Sequence, residues 1–410
     1  MRRVREKQMS LIVQKFGGSS VADAESIQRV AWLIAEAYSE GNNVVVVLSA
    51  QADTTDKLIE KAKELNPNPS KREMDVLLST GEQASIALMA MALEKLGLPV
   101  VSLTGWQIGM NTDSDYGSAR IKSVSAERMK AELDRRRIVL VAGFQGINKY
   151  DDITTIGRGG SDTTAVAVAV ALNADICRIY TDVEGIYTGD PNKIPGARKL
   201  EEITYDEMIE LATLGAQVLH NRSVEMAKRY GIKIEVLSSL VREPGTTVKG
   251  ATKMEHLKIS GVAKDDDIAR VALVGLKDEP GVAFKLFRVI ANEKINIDII
   301  LQSIGRNNTN DISFTVARSD MNKAVEILEE SKSVIGFSEI KKNDAIAKVS
   351  IVGAGMMSSP GVAATMFEAL YDAKINIGMI STSEIKISVL VDEKDADRAV
   401  TAIHAKFFDV

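Results

Sequence analysis

Residues 280–303 return 80 positions later as residues 360–383, with 11 of the 24 aligned positions identical. Pro280-Gly281-Val282-Ala283 becomes Pro360-Gly361-Val362-Ala363, and Phe287 becomes Phe367. Lys294-Ile295-Asn296-Ile297 becomes Lys374-Ile375-Asn376-Ile377, and Ile300 and Ser303 become Ile380 and Ser383. Such a repeat makes the C-terminal part of the chain two copies of one small unit. Each copy reads as a strand (Arg270–Leu276; Lys348–Val352), a Pro-Gly turn, a helix, Asn-Ile, two strands and a helix. That is the βαββαβ order of a ferredoxin-like α+β module. By itself the repeat is equally compatible with a purely packing role.

The preceding half follows another rule. Leu11–Phe16, Val44–Leu48, Ile138–Phe144 and Ile176–Tyr180 are short, unbroken apolar runs rich in β-branched residues. Unbroken apolarity is the pattern of strands covered on both faces, as in a parallel sheet. The amphipathic stretches Ala24–Tyr38, Met74–Leu96 and Ala126–Arg135 alternate with them, which predicts a doubly wound α/β domain. Lys233–Leu237 is its expected last strand, and Pro244-Gly245 and the charge run Lys264–Asp267 mark the boundary. The expected division is a catalytic domain over 9–250 and two modules over 265–340 and 345–410, with residues 1–8 a frayed extension.

Composition narrows the function by exclusion. The chain carries 51 basic and 56 acidic side chains with no basic block, which argues against nucleic acid as a partner. One cysteine, Cys177, rules out an intrachain disulfide and points to a cytoplasmic setting, with the thiol acting as a small buried hydrophobe. No unbroken apolar stretch reaches the roughly 18–20 residues of a membrane span, and no signal-peptide segment follows Arg2, Arg3, Arg5 and Lys7. The three histidines, His220, His256 and His404, have no metal-binding spacing. No Gly-Lys-Ser/Thr occurs, so there is no Walker A loop, and Gly353-Ala354-Gly355 reads as a turn.

Chemistry is left to a few loops at strand ends and helix starts. Lys15-Phe16-Gly17-Gly18-Ser19-Ser20 places two glycines and two hydroxyls between a strand and a helix. Backbone N–H groups there can cradle phosphates, and Lys15 can neutralise a transferring phosphoryl group; a tight turn with an N-cap serine is the competing reading. Ser49–Asp56 crowds hydroxyls and acids, as a capping cluster also would. Thr80-Gly81-Glu82 interrupts a helix; Glu82 can hold an ammonium or simply face solvent. In Gly157-Arg158-Gly159-Gly160-Ser161-Asp162 an arginine suited to gripping a carboxylate sits among three glycines. Thr181–Pro191 is a long polar loop able to hold a base and ribose, or to be a surface connection.

Taken together these segments resemble a known family. KFGGSS at 15–20, SAQADTTD at 49–56, STGE at 79–82, GRGGSDTTA at 157–165 and TDVEGIYTGDP at 181–191 occur in this order in aspartate kinases. The resemblance spans essentially the whole chain after Met9. It implies the amino-acid-kinase fold, a parallel-sheet sandwich with helices, followed by tandem ACT modules. It implies phosphorylation of the β-carboxylate of L-aspartate by ATP and Mg²⁺ at the head of lysine, threonine and methionine synthesis. By motif, Lys15, Gly17, Gly18 and Ser19 would contact the ATP phosphates, and Ser49 and Thr55 would lie near the substrates. Glu82 would hold the aspartate amino group and Arg158 its α-carboxylate. Ser161 and Asp162 would lie beside the reacting groups, with Asp162 orienting Lys15 or touching substrate. Thr181, Asp182, Tyr187 and Asp190 would line the nucleoside pocket, and no metal is expected apart from magnesium carried by ATP. A carboxylate nucleophile is already ionised at neutral pH and needs no general base, which agrees with the lack of a histidine motif.

The same resemblance implies feedback by end-product amino acids, lysine or threonine. Asp278, Gly281, Val282, Ala283, Asn296, Asp298 and Gln302 would form the inhibitor pocket, with Asn376, Ile377, Thr382 and Glu384 completing it; turn chemistry explains Asn296 and Asn376 equally well. A homo-oligomer is expected, or an α2β2 assembly if Met254 starts a separate small subunit. One departure stands out: some relatives carry a lysine after the Ser-Ser near the end of the kinase domain, whereas Ser238-Ser239 is followed by Leu240. Arg198, Arg222 and Lys233 are the candidate replacements.

Overall fold

The computed structural model describes residues 10–214, 218–251, 259–304 and 309–408. The chain divides into two units, one of residues up to Tyr187 plus Lys199–Met254, the other of Thr188–Arg198 plus the chain from Glu255 onward. Met254 itself and the residues before Ser10 lie outside the described residues.

In the first unit, β1 (Leu11–Phe16), α1 (Ala24–Ser39), β2 (Asn43–Leu48), α2 (Thr54–Leu65), α3 (Lys71–Lys95) and β3 (Val100–Leu103) come first. They are followed by β4 (Asn111–Thr112), β5 (Ile121–Ser123), α4 (Glu127–Asp134), β6 (Ile138–Ala142), β7 (Gln145–Ile147), β8 (Ile153–Thr155), α5 (Gly160–Leu172) and β9 (Ile176–Thr181). β10 (Glu202–Thr204), α6 (Tyr205–Thr213), α7 (Asn221–Tyr230), β11 (Ile234–Ser238) and β12 (Thr246–Lys249) complete the unit. The main sheet runs β10-β12-β11-β9-β1-β2-β6-β3, with β11, β9, β1, β2, β6 and β3 parallel to their neighbours in that row. The unbroken apolar strands are its centre: Val44–Leu48 and Ile138–Ala142 are wholly buried. β12 returns antiparallel to β11 after Pro244-Gly245, inside the expected bound at residue 250. A second small sheet, β5-β4-β7-β8, has strands of two or three residues, too short for a period to show.

α3 meets the length and mean hydropathy of a membrane span, which counting unbroken apolar runs misses. It packs on α1, α2, β3, β6 and β8, and its buried face includes Asp75, Ser79 and Glu82.

The second unit holds β13 (Gly261–Asp265), β14 (Ala269–Lys277), α8 (Val282–Asn292), β15 (Ile300–Ile304), β16 (Thr309–Val316), α9 (Met321–Glu330), α10 (Lys332–Ile335) and β17 (Glu339–Asn343). Then come β18 (Ile346–Val352), α11 (Val362–Asp372), β19 (Met379–Thr382), β20 (Lys386–Asp392) and α12 (Ala396–Phe408). Two four-stranded sheets result, β15-β16-β14-β17 and β13-β18-β20-β19. The repeated Pro-Gly places Gly281 at φ +95° and Gly361 at φ +92° as helix N-caps, a conformation that favours glycine. The sheets have the same plan, but the edge strand of the second, next to β18, is β13, from ahead of the first. Module 1 is therefore inserted into module 2, and the linear division at residue 265 cuts a sheet. Lys348 of β18, 3% exposed, joins module 2 to module 1 through an ion pair to Asp298 and also pairs with Asp265 of the neighbouring β13.

Candidate active site

Parallel strands put their C-terminal ends on one edge. β1 stands where the strand order reverses, β2, β6 and β3 lying to one side and β9 and β11 to the other. Open α/β sheets bind ligands in the crevice beyond that point. The loops after β1, β2, β6 and β9 open there.

Lys15, near the end of β1, forms an ion pair with Asp162 of α5 (2.7 Å), both side chains largely buried. This is the contact that an orienting role for Asp162 would use. Gly18 lies so close to the loop after β2 that a Cβ would stand 2.7 Å from the Ala50 carbonyl oxygen. The Ala52 N–H also donates to the Gly18 carbonyl (3.1 Å). Ser49 follows β2, and Thr55 lies in the first turn of α2 rather than in a loop.

Glu82 does not face solvent: it is 3% exposed. Its Oε1 accepts the Ala50 N–H (3.1 Å), while Oε2 is buried without a hydrogen-bond partner. Burial pushes its pKa up to about 7. A buried carboxylate with an open oxygen is costly unless a cation or proton joins it, so the position suits an ammonium group. Asp75, Ser79 and Glu82 stand at i, i+4 and i+7 on one helix stripe, and all three are buried. That polar stripe was visible in the sequence and marks Asp75, which the motif reading passed over. Asp75 accepts the Thr155 N–H (2.9 Å) and Oγ1–H (2.6 Å) and the Gly117 N–H (3.0 Å), fixing the strand that leads to Arg158.

Arg158 is exposed in the loop between β8 and α5, with no hydrogen bond or ion pair among the described residues. It carries a fixed charge with its donors open to a ligand. Gly159 caps α5 at φ +67°, and a Cβ there would fall 2.2 Å from the His220 ring. His220, the N-cap of α7, is thus pressed against the glycine loop, and burial lowers its pKa. Ser161 lies beside Gly143, where a Cβ would stand 2.6 Å from its Oγ. Gly143 and His220 are contacts between distant segments and carry no local motif.

The polar loop after β9 splits. Thr181, Asp182 and Tyr187 belong to the first unit, whereas Asp190 lies in the segment assigned to the second unit. Asp190 accepts the Asn192 N–H through Oδ1 (3.0 Å), a turn contact. Ser239 hydrogen-bonds Ser20 (2.9 Å), and its N–H donates to the Thr181 carbonyl (2.8 Å), tying three strand ends together. Leu240 is exposed. Of the candidate cations, Arg222 donates to the Ile156 and Ala119 carbonyls (2.8 and 3.1 Å), Lys233 pairs with Glu235, and Arg198 belongs to the second unit.

In the second unit, Asp278 accepts from Asn310 (2.8 Å) and Asp298 pairs with Lys348. Val282 and Ala283 open α8, Asn296 and Asn376 follow the first helix of each module, and Gln302 lies on edge strand β15. Ile377 packs on the module 2 core. Thr382 and Glu384 line a hollow of about 440 Å³ with Gly361, Val362 and Ala363, the second copies of Gly281, Val282 and Ala283.

Residues 10–238 match the amino acid kinase family, and residues 271–331 and 349–407 match the ACT domain. The chain is 53% identical to an aspartokinase of Mycolicibacterium smegmatis over 97% of its length and 96% of that protein. It is 49% identical to an aspartokinase of Corynebacterium glutamicum at the same coverages. A crystal structure of Escherichia coli aspartokinase III in complex with aspartate and ADP superposes with a TM-score of 0.83 at 26% identity, covering 97% of this chain and all of that one.

Proposed function

The chain belongs to the aspartokinases of the amino acid kinase family, and from that premise we infer that it transfers the γ-phosphoryl group of ATP to the β-carboxylate of L-aspartate. The product is 4-phospho-L-aspartate, the first step towards lysine, threonine and methionine, under feedback control through the ACT modules. The observation that carries the substrate is Glu82, a buried carboxylate with an open oxygen that needs a cation. The aspartate ammonium supplies it, and Arg158 receives the α-carboxylate, leaving the β-carboxylate directed at the nucleotide.

A phosphoryl transfer to a carboxylate depends on in-line placement and on cancelling negative charge. Lys15, held by Asp162, provides a fixed cation at the sheet edge. Gly17, Gly18 and Ser19 offer backbone N–H groups to the phosphates, and the start of α5 at Gly160–Ser161 supplies a positive helix end. Ser49 and Thr55 border the substrates, and Thr181, Asp182 and Tyr187 border the nucleoside, with Asp190 further along the same loop. Magnesium would enter with ATP, where it would screen the phosphate charge.

Lysine or threonine is the proposed inhibitor, bound by the ACT residues Asp278 through Gln302 and by Asn376 through Glu384. A homo-oligomer is proposed through exposed edge strands such as β15, where Ile300 and Leu301 face outward. A small subunit started at Met254 remains the alternative assembly, and the setting is cytoplasmic. Trapping the acyl phosphate with hydroxylamine, using ATP and aspartate with and without lysine, threonine and methionine, tests the substrate and the feedback. No hydroxamate from aspartate overturns the substrate, and undiminished hydroxamate with every amino acid present overturns the feedback.

A further inference from the structure

The segment Thr188–Arg198 leaves the kinase unit after Tyr187 and rejoins it at Lys199. Its two ends form an antiparallel ribbon. The Leu200 N–H donates to the Ile186 carbonyl (2.8 Å), Tyr187 bridges Lys199, and the Thr188 N–H donates to the Arg198 carbonyl (2.9 Å). The tip of the ribbon is built into module 2. Ile194, 3% exposed, is part of the core that holds Val349, Ile351, Met366 and Ile403. The Arg198 guanidinium donates to the Phe408 carbonyl (2.7 Å), and the Val262 N–H to the Thr188 carbonyl (2.8 Å). At the neck, Thr188 Oγ1 accepts the Arg198 N–H (2.9 Å) and lies 2.9 Å from Nε2 of His404. Thr188 and His404 are 2% and 1% exposed, and the imidazole stacks on Phe408.

A buried polar pair adds little net stability but fixes a geometry, because each group is costly without the other. The module fold does not require this pair: α9, the helix of module 1 in the place of α12, contains no histidine. What Thr188 adjoins is Tyr187, the last kinase-unit residue of the loop proposed to border the nucleoside. We propose that Thr188 and His404 are positioning residues for the nucleotide, through which module 2 sets the loop Thr181–Tyr187 and hence ATP affinity. This rests on the assignment of that loop to the nucleotide.

The test uses the full chain with Thr188→Val, which keeps volume and removes the hydroxyl, and Thr188→Ser, which restores it. Calorimetry with Mg-ADP gives nucleotide affinity without turnover, and the hydroxamate assay gives the aspartate KM. The expected result is a roughly two- to tenfold weaker Mg-ADP affinity for Thr188→Val, the size of one lost hydrogen bond. The aspartate KM stays within about twofold, and Thr188→Ser recovers the affinity. Unchanged Mg-ADP affinity, an equal loss for both ligands, or no recovery with serine overturns the proposal. Should Thr188→Val fail to fold, His404→Leu against His404→Gln makes the same comparison from the other side. A wild-type chain that binds Mg-ADP but forms no hydroxamate would refute the aspartate assignment alone. One that does not bind Mg-ADP would refute the nucleotide loop and this proposal with it.

Discussion

Glu82 has opposite consequences for binding and for stability. Its pKa, raised to about 7 by burial, means that the folded chain holds a proton there which the unfolded chain releases near pH 4.5. Stability from this group is therefore full below about pH 4.5 and is lost as pH rises to 7. Glu82→Gln is expected to raise the melting temperature relative to wild type at pH 8 and to leave it little changed at pH 4, as scanning calorimetry would reveal. The same substitution removes the partner of the substrate ammonium, so the aspartate KM should rise while the ATP KM holds. In the wild type, aspartate affinity should weaken as pH falls below 7, because the protonated carboxyl no longer offers a charge; a pH series of KM measures this. For Arg158→Ala a different pattern is expected. A hydrogen bond to a charged group is worth about 1.5–3 kcal/mol, so aspartate KM should rise roughly 10- to 100-fold with ATP affinity retained. Equal losses for the two ligands would mean that the arginine is misassigned.

At the scale of elements, the site is made by segments that approach too closely for side chains. Gly18 against Ala50 and Gly159 against His220 are two such contacts, the second also at positive φ. Gly18→Ala must displace one loop, and overpacking of this kind costs about 1–3 kcal/mol. Because the displaced atoms belong to the loops proposed to hold the phosphates and the substrate, kcat should fall more than tenfold, in line with the sensitivity of catalysis to small misplacements. Steady-state kinetics beside a melting curve separates the two effects. The glycines were legible as a motif, KFGGSS and GRGGSD, but the reason for them was not. Ala50 and His220 lie far along the chain; the pairing of β1 with β2 brings the first beside Gly18, and the packing of α7 on α5 brings the second beside Gly159. Conversely, the helix period alone puts Asp75, Ser79 and Glu82 on one stripe, but that this stripe is buried was decided by the packing of α3 against its neighbours.

At the scale of the molecule, the two modules are not successive. β13 completes the sheet of module 2, so a regulatory fragment begun at residue 254 keeps that strand and one begun at residue 266 loses it. The shorter fragment leaves β18 as an open edge and is expected to melt lower and to self-associate, which differential scanning fluorimetry and light scattering would detect. Equal melting of the two fragments would show that β13 is dispensable.

The sequence by itself determined the parallel sheet, the repeated modules, the glycine-rich loops and the charged residues available for a carboxylate substrate. These are local: a run of β-branched residues, a Pro-Gly turn or a helical stripe is decided by neighbours within a few positions. Only the tertiary structure decided that Glu82 is buried with one oxygen open, that Asp162 holds Lys15, that β13 belongs with β18, and that Thr188–Arg198 belongs to the regulatory unit. Each of these is a pairing of segments distant in the chain, and burial or strand pairing across such distances depends on packing energies that no local pattern records.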